Sequence, residues 1–297
     1  MNPANNIQGI GPPSRLEAYS GKDEALTAAQ EALVRKLVTE LNEHDNLYYE
    51  ILNEPYEREG PTPAWNDRMI RAIVETESAL PRKHLIAQGI AVRSARIEKP
   101  NPHVSVFNFH SAEPASVSGN LDLRKVIADD ETGGKGTRDF PYRSEGWEFL
   151  LAGGGVFSHL DFSFTPRSPE GKAGITRAPG GDGPAIRRQI RVLKEFIESF
   201  DFVRMRPDRA AVVGKDVAGA LVETGKAYAV YVKGGPRTEL GIVDLPAGSY
   251  RAEWVDPRRG TVLTDEILEH AGGTRILTSP EYSEDLALRL VRAKKSR

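Results

Sequence analysis

Residues Asn46–Glu57 read NLYYEILNEPYE. The first half, NLYYEIL, is an apolar run of strand length. Pro55 ends it, because proline has no N–H to donate to a strand ladder. Asn53 and Glu54 therefore stand where a strand runs out. The segments on either side say what kind of strand this is. Upstream, Leu26, Ala29, Leu33, Leu37 and Leu41 recur at spacings of three and four, which predicts a helix from Asp23 with one apolar stripe. Downstream, PTPAWNDRMIRAIVETESALP predicts a second helix, with Thr62 as its cap and Pro63 in its first turn. A buried strand between helices belongs to a parallel α/β sheet.

The alternation continues along the chain. HLIAQGI, HVSVFNFH, RKVIADDE and VFSHLDFSF read as further strands, and YRSEGWEFLLAGG and GPAIRRQIRVLKEFIESF as helices. In the last of these, Ile186, Ile190, Leu193, Ile197 and Phe200 line one face. After Phe202 the texture changes. AAVVG, AYAVYVKGG, TELGIVDLP, GSYRAEWVDPRRG, TRILTSP and DLALRLVRA are short strands separated by Gly, Pro and Asp turns, the pattern of an antiparallel β-sandwich. The expected domains are residues 1–202, parallel α/β, and residues 203–297, the sandwich. The glycine-rich APGGDGP lacks the Lys and Ser/Thr of a phosphate-binding loop.

Composition bounds the function. The chain has 297 residues, 39% hydrophobic and 28% charged, with a net charge of -2. Lys and Arg are dispersed, apart from a terminal RAKKSR that reads as a solvated tail, so no nucleic-acid partner is expected. No apolar run approaches the roughly 20 residues of a membrane span. MNPANNIQGIGPP has neither the basic nor the apolar region of a signal peptide. Cysteine is absent, which excludes disulfides and thiol chemistry and leaves the compartment and oligomeric state open.

Polar residues gather at the expected strand ends. In α/β barrels chemistry sits at the C-terminal ends of strands. Glu54 ends one strand, His110 and Glu131 end two others, and His159 and Asp161 lie in VFSHLDFSF. Two carboxyls across such a rim suit glycosidic cleavage: one protonates the leaving oxygen while the other, ionised, attacks the anomeric carbon or activates water. Other roles fit the same residues. Asp129, Asp130 and Glu131 together suit a solvated turn or a cation site. Asn53 suits a turn amide, His110 a structural histidine, and Asp161 either a substrate contact or a buried ion-pair partner. Glu50, inside the strand, reads as an interior ion pair with an arginine, and Trp65, Trp147 and Trp254 read as packing residues.

EILNEPY resembles the Asn-Glu-Pro strand end of clan A glycoside hydrolases, retaining enzymes built on a (β/α)8 barrel. The resemblance implies that Glu54, ending the fourth strand, is the acid/base, and that Asn53 holds the sugar 2-hydroxyl. It implies a nucleophile at Glu131, ending the seventh strand in DETG, with Gly133 following. His110, ending the sixth strand, matches a position that often holds a His or Tyr near the nucleophile. Leu26–Phe202 resembles the cellulase-like and apiosidase-like branch. LPAGSYRAEWVDPRRGTV resembles the small sandwich that follows such barrels, a module labelled as collagen-binding, which is no sign of a collagen partner.

The fold expected is thus a partial TIM barrel, strands 4–8, followed by the sandwich. Strands one to three, which a full barrel places before YYEIL, are missing; the helix at 23–43 would be the third barrel helix, and NNIQGIG fits the remnant of a loop after the third strand. A fragment of a longer enzyme, a gap filled by a partner, or a degraded remnant each fit. The expected function is retaining hydrolysis of an O-glycosyl bond on a carbohydrate substrate, with no cofactor and no metal. The alternative is a non-catalytic module that binds glycan or a partner protein.

Overall fold

Helix and strand starts follow local chemistry. A computed structural model describes residues 7, 9–10, 14–55, 61–91, 95–110, 112–174 and 183–293. Tyr56 and Glu57, most of NNIQGIG, most of APGGDGP and the terminal Lys294–Arg297 lie outside them. A one-turn helix α1 (Arg15–Ala18) opens with a capping box between Ser14 and Glu17. Helix α2 (Glu24–Leu41) is capped by Asp23, which accepts from the Leu26 amide at 3.0 Å. Strand β1 (Tyr49–Glu50) follows, then α3 (Pro63–Ser78), capped by Thr62 with Pro63 at its start, as the sequence predicts. Next come β2 (Ile86–Ile90), β3 (Val106–Phe109), the short α4 (Pro114–Ser118), β4 (Val126–Thr132), α5 (Asp139–Leu151), β5 (Val156–His159) and α6 (Gly183–Glu198). These strands form one parallel sheet in the order β1-β2-β3-β4-β5. The architecture is a partial (β/α) barrel followed by antiparallel sheets. Among the described residues no helix is long and apolar enough to cross a membrane.

The chain divides into two compact units: residues 1–110 with 119–128, and residues 111–118 with 129–297. In the first, α2 packs on α3. The buried side of α2 carries Leu26, Thr27 and Val38, whereas Leu33 and Leu37 are 59% and 47% exposed. This corrects the predicted stripe at Leu33 and Leu37, while Leu26 is buried and Ala29 and Leu41 are half-buried. Polar bonds set the angle of the helix: Trp65 Nε1 donates to Gln30 at 2.9 Å, Arg68 pairs with Glu24 and Glu31, and Arg35 pairs with Glu75. Gln30, Glu31, Arg35 and Val38 share one face, and Leu33 and Leu37 lie to one side of it. A buried clamp ties the end of α3 to the start of β2: His84 Nδ1 donates to Glu77 at 2.5 Å and Nε2 to the His44 carbonyl at 2.7 Å. Both ring nitrogens face acceptors, so the ring is an imidazolium, and the Glu77 hydrogen bond holds its pKa above the usual value.

In the second unit, β6 (Arg206–Pro207), β7 (Val212–Val213), β8 (Val217–Glu223), β9 (Ala227–Lys233), β10 (Glu239–Leu245), β11 (Gly248–Val255), β12 (Val262–His270), β13 (Gly273–Thr278) and β14 (Asp285–Arg292) follow. They form a six-stranded sheet, β12-β11-β14-β9-β8-β6, and a three-stranded sheet, β13-β10-β7. The larger sheet is covered on both faces. Tyr228, Val230 and Val232 of β9 join Leu240, Ile242 and Trp254 in the core between the sheets. The alternate residues Ala229 and Tyr231 pack with Trp147 of α5 and Leu193 and Phe196 of α6. Burial on both faces is why AYAVYVK reads as a continuous apolar run. Trp147 stacks on Tyr231 with centroids 5.3 Å apart and planes 13° off parallel. All three tryptophans are buried, as expected of packing residues.

Candidate active site

The predicted strand NLYYEIL shortens to Tyr49–Glu50, and the chain leaves the ladder before the polar pair arrives. Glycine at 89 permits this path: a Cβ there would lie 2.3 Å from the Leu52 carbonyl and 3.1 Å from Pro55 Cδ. Glu54 takes φ = 48°, a left-handed conformation that costs a non-glycine residue about 1 kcal/mol or more. The strained turn leaves Glu54 half-buried and Asn53 exposed. His110, just past β3 and 8% exposed, meets it from the neighbouring side: the Glu54 amide donates to His110 Nε2 at 3.3 Å. Nε2 is the acceptor in this bond. Deeper in the same unit, Asn108 Nδ2 donates to Glu50 Oε1 at 3.1 Å, an amide contact for the carboxylate read as an arginine's partner.

In the second unit, Glu131 lies half-buried near the end of β4, between the fully buried Asp129 and Thr132. The Leu160 amide donates to the Thr132 carbonyl at 2.8 Å, so β4 and β5 run together to their ends. Thr132 Oγ1 donates to Glu145 of α5 at 2.5 Å. Among the described residues neither Asp129 oxygen makes a well-formed hydrogen bond, and the Ala112 amide only faces it. Burial first, and then the charge of Glu145, push it up to about 8.

Strand β5 ends at His159, earlier than VFSHLDFSF implied, and the remainder is a loop. The loop is pinned by Asp161: Oδ1 accepts from the Ser163 amide at 2.9 Å and its hydroxyl at 2.5 Å, and Oδ2 pairs with Arg187 of α6. Burial raises the Asp161 pKa, but the Ser163 bonds and Arg187 outweigh it, and the net is below the ordinary value. Arg187 also reaches the Gly171 carbonyl and lies 4.8 Å from the Phe164 ring centroid. Phe162 and Phe164 are each 54% exposed. Large aromatics held in the open by a bonded loop are a feature that sequence reading missed. His159, 9% exposed, is kept neutral by burial.

No protein family's sequence pattern matches this chain, and no curated protein sequence does. Solved structures do. A glycoside hydrolase superposes with TM-score 0.70 at 16% identity, over 91% of this chain and 70% of that one. A glycoside hydrolase family 5 protein from Bacteroides vulgatus gives TM-score 0.67 at 14% identity, over 91% of this chain and 68% of that one. A family 30 subfamily 8 xylanase from Clostridium acetobutylicum gives 0.55 at 11%, over 93% and 75%. At these identities the likeness is one of fold: the chain has the fold of glycoside hydrolases.

Proposed function

We propose that the protein is a retaining glycoside hydrolase, or the C-terminal portion of one, with Glu131 as nucleophile and Glu54 as acid/base. The observation that carries the reading is the turn at Glu54. A carboxyl on a strained turn just past a parallel strand, its backbone amide bonded to a histidine, is built where such folds do chemistry. Glu131 ends β4 of the same parallel sheet. The neighbours' glycoside-hydrolase fold supports the reading at the level of class.

In this mechanism Glu131 attacks the anomeric carbon while Glu54 protonates the leaving oxygen, and Glu54 then takes a proton from the incoming water. Forming the glycosyl ester neutralises Glu131, and the water that cleaves the ester in the second step gives its proton to Glu54. Asn53, exposed on the strained turn, holds the sugar 2-hydroxyl, and His110 positions the Glu54 backbone. Asp161 contributes to substrate binding by fixing the loop that presents Phe162 and Phe164 as stacking faces for a sugar ring. The substrate class is a polysaccharide or oligosaccharide. Residues 1–202 form the barrel portion and residues 203–297 the sandwich domain in this reading.

The test separates the two carboxyls. Glu131→Ala abolishes hydrolysis and is rescued by azide, giving a glycosyl azide of inverted configuration. Glu54→Ala still cleaves aryl glycosides with good leaving groups, which need no acid. Full activity in either variant, or a product of inverted configuration from the wild type, removes the mechanism.

A further inference from the structure

The backbone that follows Glu131 is tied to α5 by two side chains. Glu145 accepts from Thr132 Oγ1 at 2.5 Å with one oxygen and pairs with Lys135 Nζ through the other. The Lys135 amide donates to Tyr142 Oη at 3.0 Å, and Tyr142 Oη donates to the Gly136 carbonyl at 2.7 Å. Gly134 and Gly136, with φ of 73° and 79°, let the chain turn tightly enough to make these bonds. The Glu145 side chain is 9% exposed, so its bonds face little competition from water.

Asp129 adds a second carboxyl behind the same strand end. It is fully buried, and the groups facing it are Glu145 from α5, Lys135 from the turn, Asp130 from its own strand and the Ala112 amide ahead of α4. One ammonium serves this pair, and its close partner is Glu145. A buried carboxyl that one backbone amide merely faces is more stable neutral than ionised. If Asp129 ionises, two buried anions compete for Lys135 and the turn loses its tie.

We propose that Glu145 is the positioning residue for Glu131: by holding Thr132 and Lys135 it fixes the strand end that carries the nucleophile, and it does so while Asp129 is protonated. The inference rests on the assignment of Glu131 made above. It makes the alkaline limb of activity a property of Asp129, a residue that touches no substrate.

Two readouts test it. The first is amide hydrogen exchange of residues 126–138, corrected for the intrinsic pH dependence. Glu145→Ala exchanges about 100-fold faster than wild type at pH 7, and Glu145→Gln, which keeps the Thr132 bond and loses the Lys135 pair, about 10-fold faster. Between pH 7 and 9 wild-type exchange rises about 10-fold, and Asp129→Asn stays flat. The second is the rate at which a panel of 2,4-dinitrophenyl 2-deoxy-2-fluoroglycosides traps Glu131, read by peptide mass. Trapping slows about 100-fold in Glu145→Ala, is restored in part by Glu145→Gln, and loses its alkaline limb in Asp129→Asn. Wild-type trapping in Glu145→Ala, or an unchanged alkaline limb in Asp129→Asn, overturns the inference and leaves the nucleophile assignment standing. The predicted exchange pattern with no trapping at Glu131 overturns both. Should Glu145→Ala fail to fold, Glu145→Gln and Asp129→Asn carry the same comparisons.

Discussion

Buried charge is handled in opposite ways at two places in the second compact unit. Where α5 and α6 meet the six-stranded sheet, every buried charge has partners. Arg143, 2% exposed, donates through Nε and Nη2 to both oxygens of Asp285 at 2.8 Å, and reaches Gln189 and Glu284 as well. Tyr231 Oη donates to Asp285 at 2.7 Å. Behind the end of β4, Asp129 is at least as deeply buried and has no such bond. A satisfied network holds elements in place, because removing either partner strands the other charge in a poor solvent. An unsatisfied carboxyl stores a proton and changes state when the pH changes. The paired region makes the sandwich and the helices one body, while the unpaired one keeps the strand end adjustable.

The contrast can be broken from the paired side first. Asp285→Ala leaves the Arg143 guanidinium buried with one carboxylate neighbour fewer, and the expected loss is about 3–5 kcal/mol. Urea unfolding monitored by tryptophan fluorescence would show a lower midpoint with an unchanged slope. Wild-type stability in this variant would mean that the network is decorative.

From the unpaired side the sign reverses. The folded-state pKa of Asp129, about 8, lies above the unfolded value, so its contribution to stability is complete below about pH 3.9 and is lost as pH rises to about 8. Asp129→Asn removes that slope. It is expected to stabilise the protein at pH 8 by about 2–4 kcal/mol and to change little at pH 4. Unfolding midpoints at the two pH values check it, and a variant less stable than wild type at pH 8 would show that the carboxyl is satisfied after all.

A smaller effect of the same direction is expected at His84. Its pKa is raised by the Glu77 hydrogen bond, so the stability it supplies is complete below about 6.5 and fades as pH climbs through the raised value. His84→Gln cannot donate to both Glu77 and the His44 carbonyl as the imidazolium does. It should be less stable than wild type at pH 6, with the gap closing at alkaline pH. A gap that is constant with pH would show that the ring is neutral in the fold.

The elements that sequence could reveal are those whose burial is set locally. Thr62 and Pro63 announce α3, and Ile186, Leu193, Ile197 and Phe200 announce the buried face of α6. The leucine stripe of α2 held at Leu26 and misled at Leu33 and Leu37, because the packing angle came from Trp65, Arg68 and Arg35 reaching across to distant residues. VLTDEILEH and DVAGALVE were not read as strands. The first is β12, an edge strand with mostly exposed charged and polar side chains, and the second is β8, broken by Gly219 where a Cβ would press on Leu151 at 3.0 Å. At the site, Glu54 and Glu131 were legible as polar residues where apolar runs stop. The amide bond from Glu54 to His110 was not, since it joins residues 56 apart. Asp129 looked like one acid among three, and its full burial is a property of the fold around it.

The central claim is that Glu131 forms a covalent bond to the sugar. Incubation with the 2-deoxy-2-fluoroglycoside panel, followed by intact mass and peptide mapping, tests it without requiring turnover, because the fluorine slows hydrolysis of the ester. The account predicts one adduct per chain, on the peptide bearing Glu131, absent from Glu131→Gln and still formed by Glu54→Ala from the dinitrophenyl donors. An adduct on any other residue, or no adduct from any sugar of the panel, would contradict it.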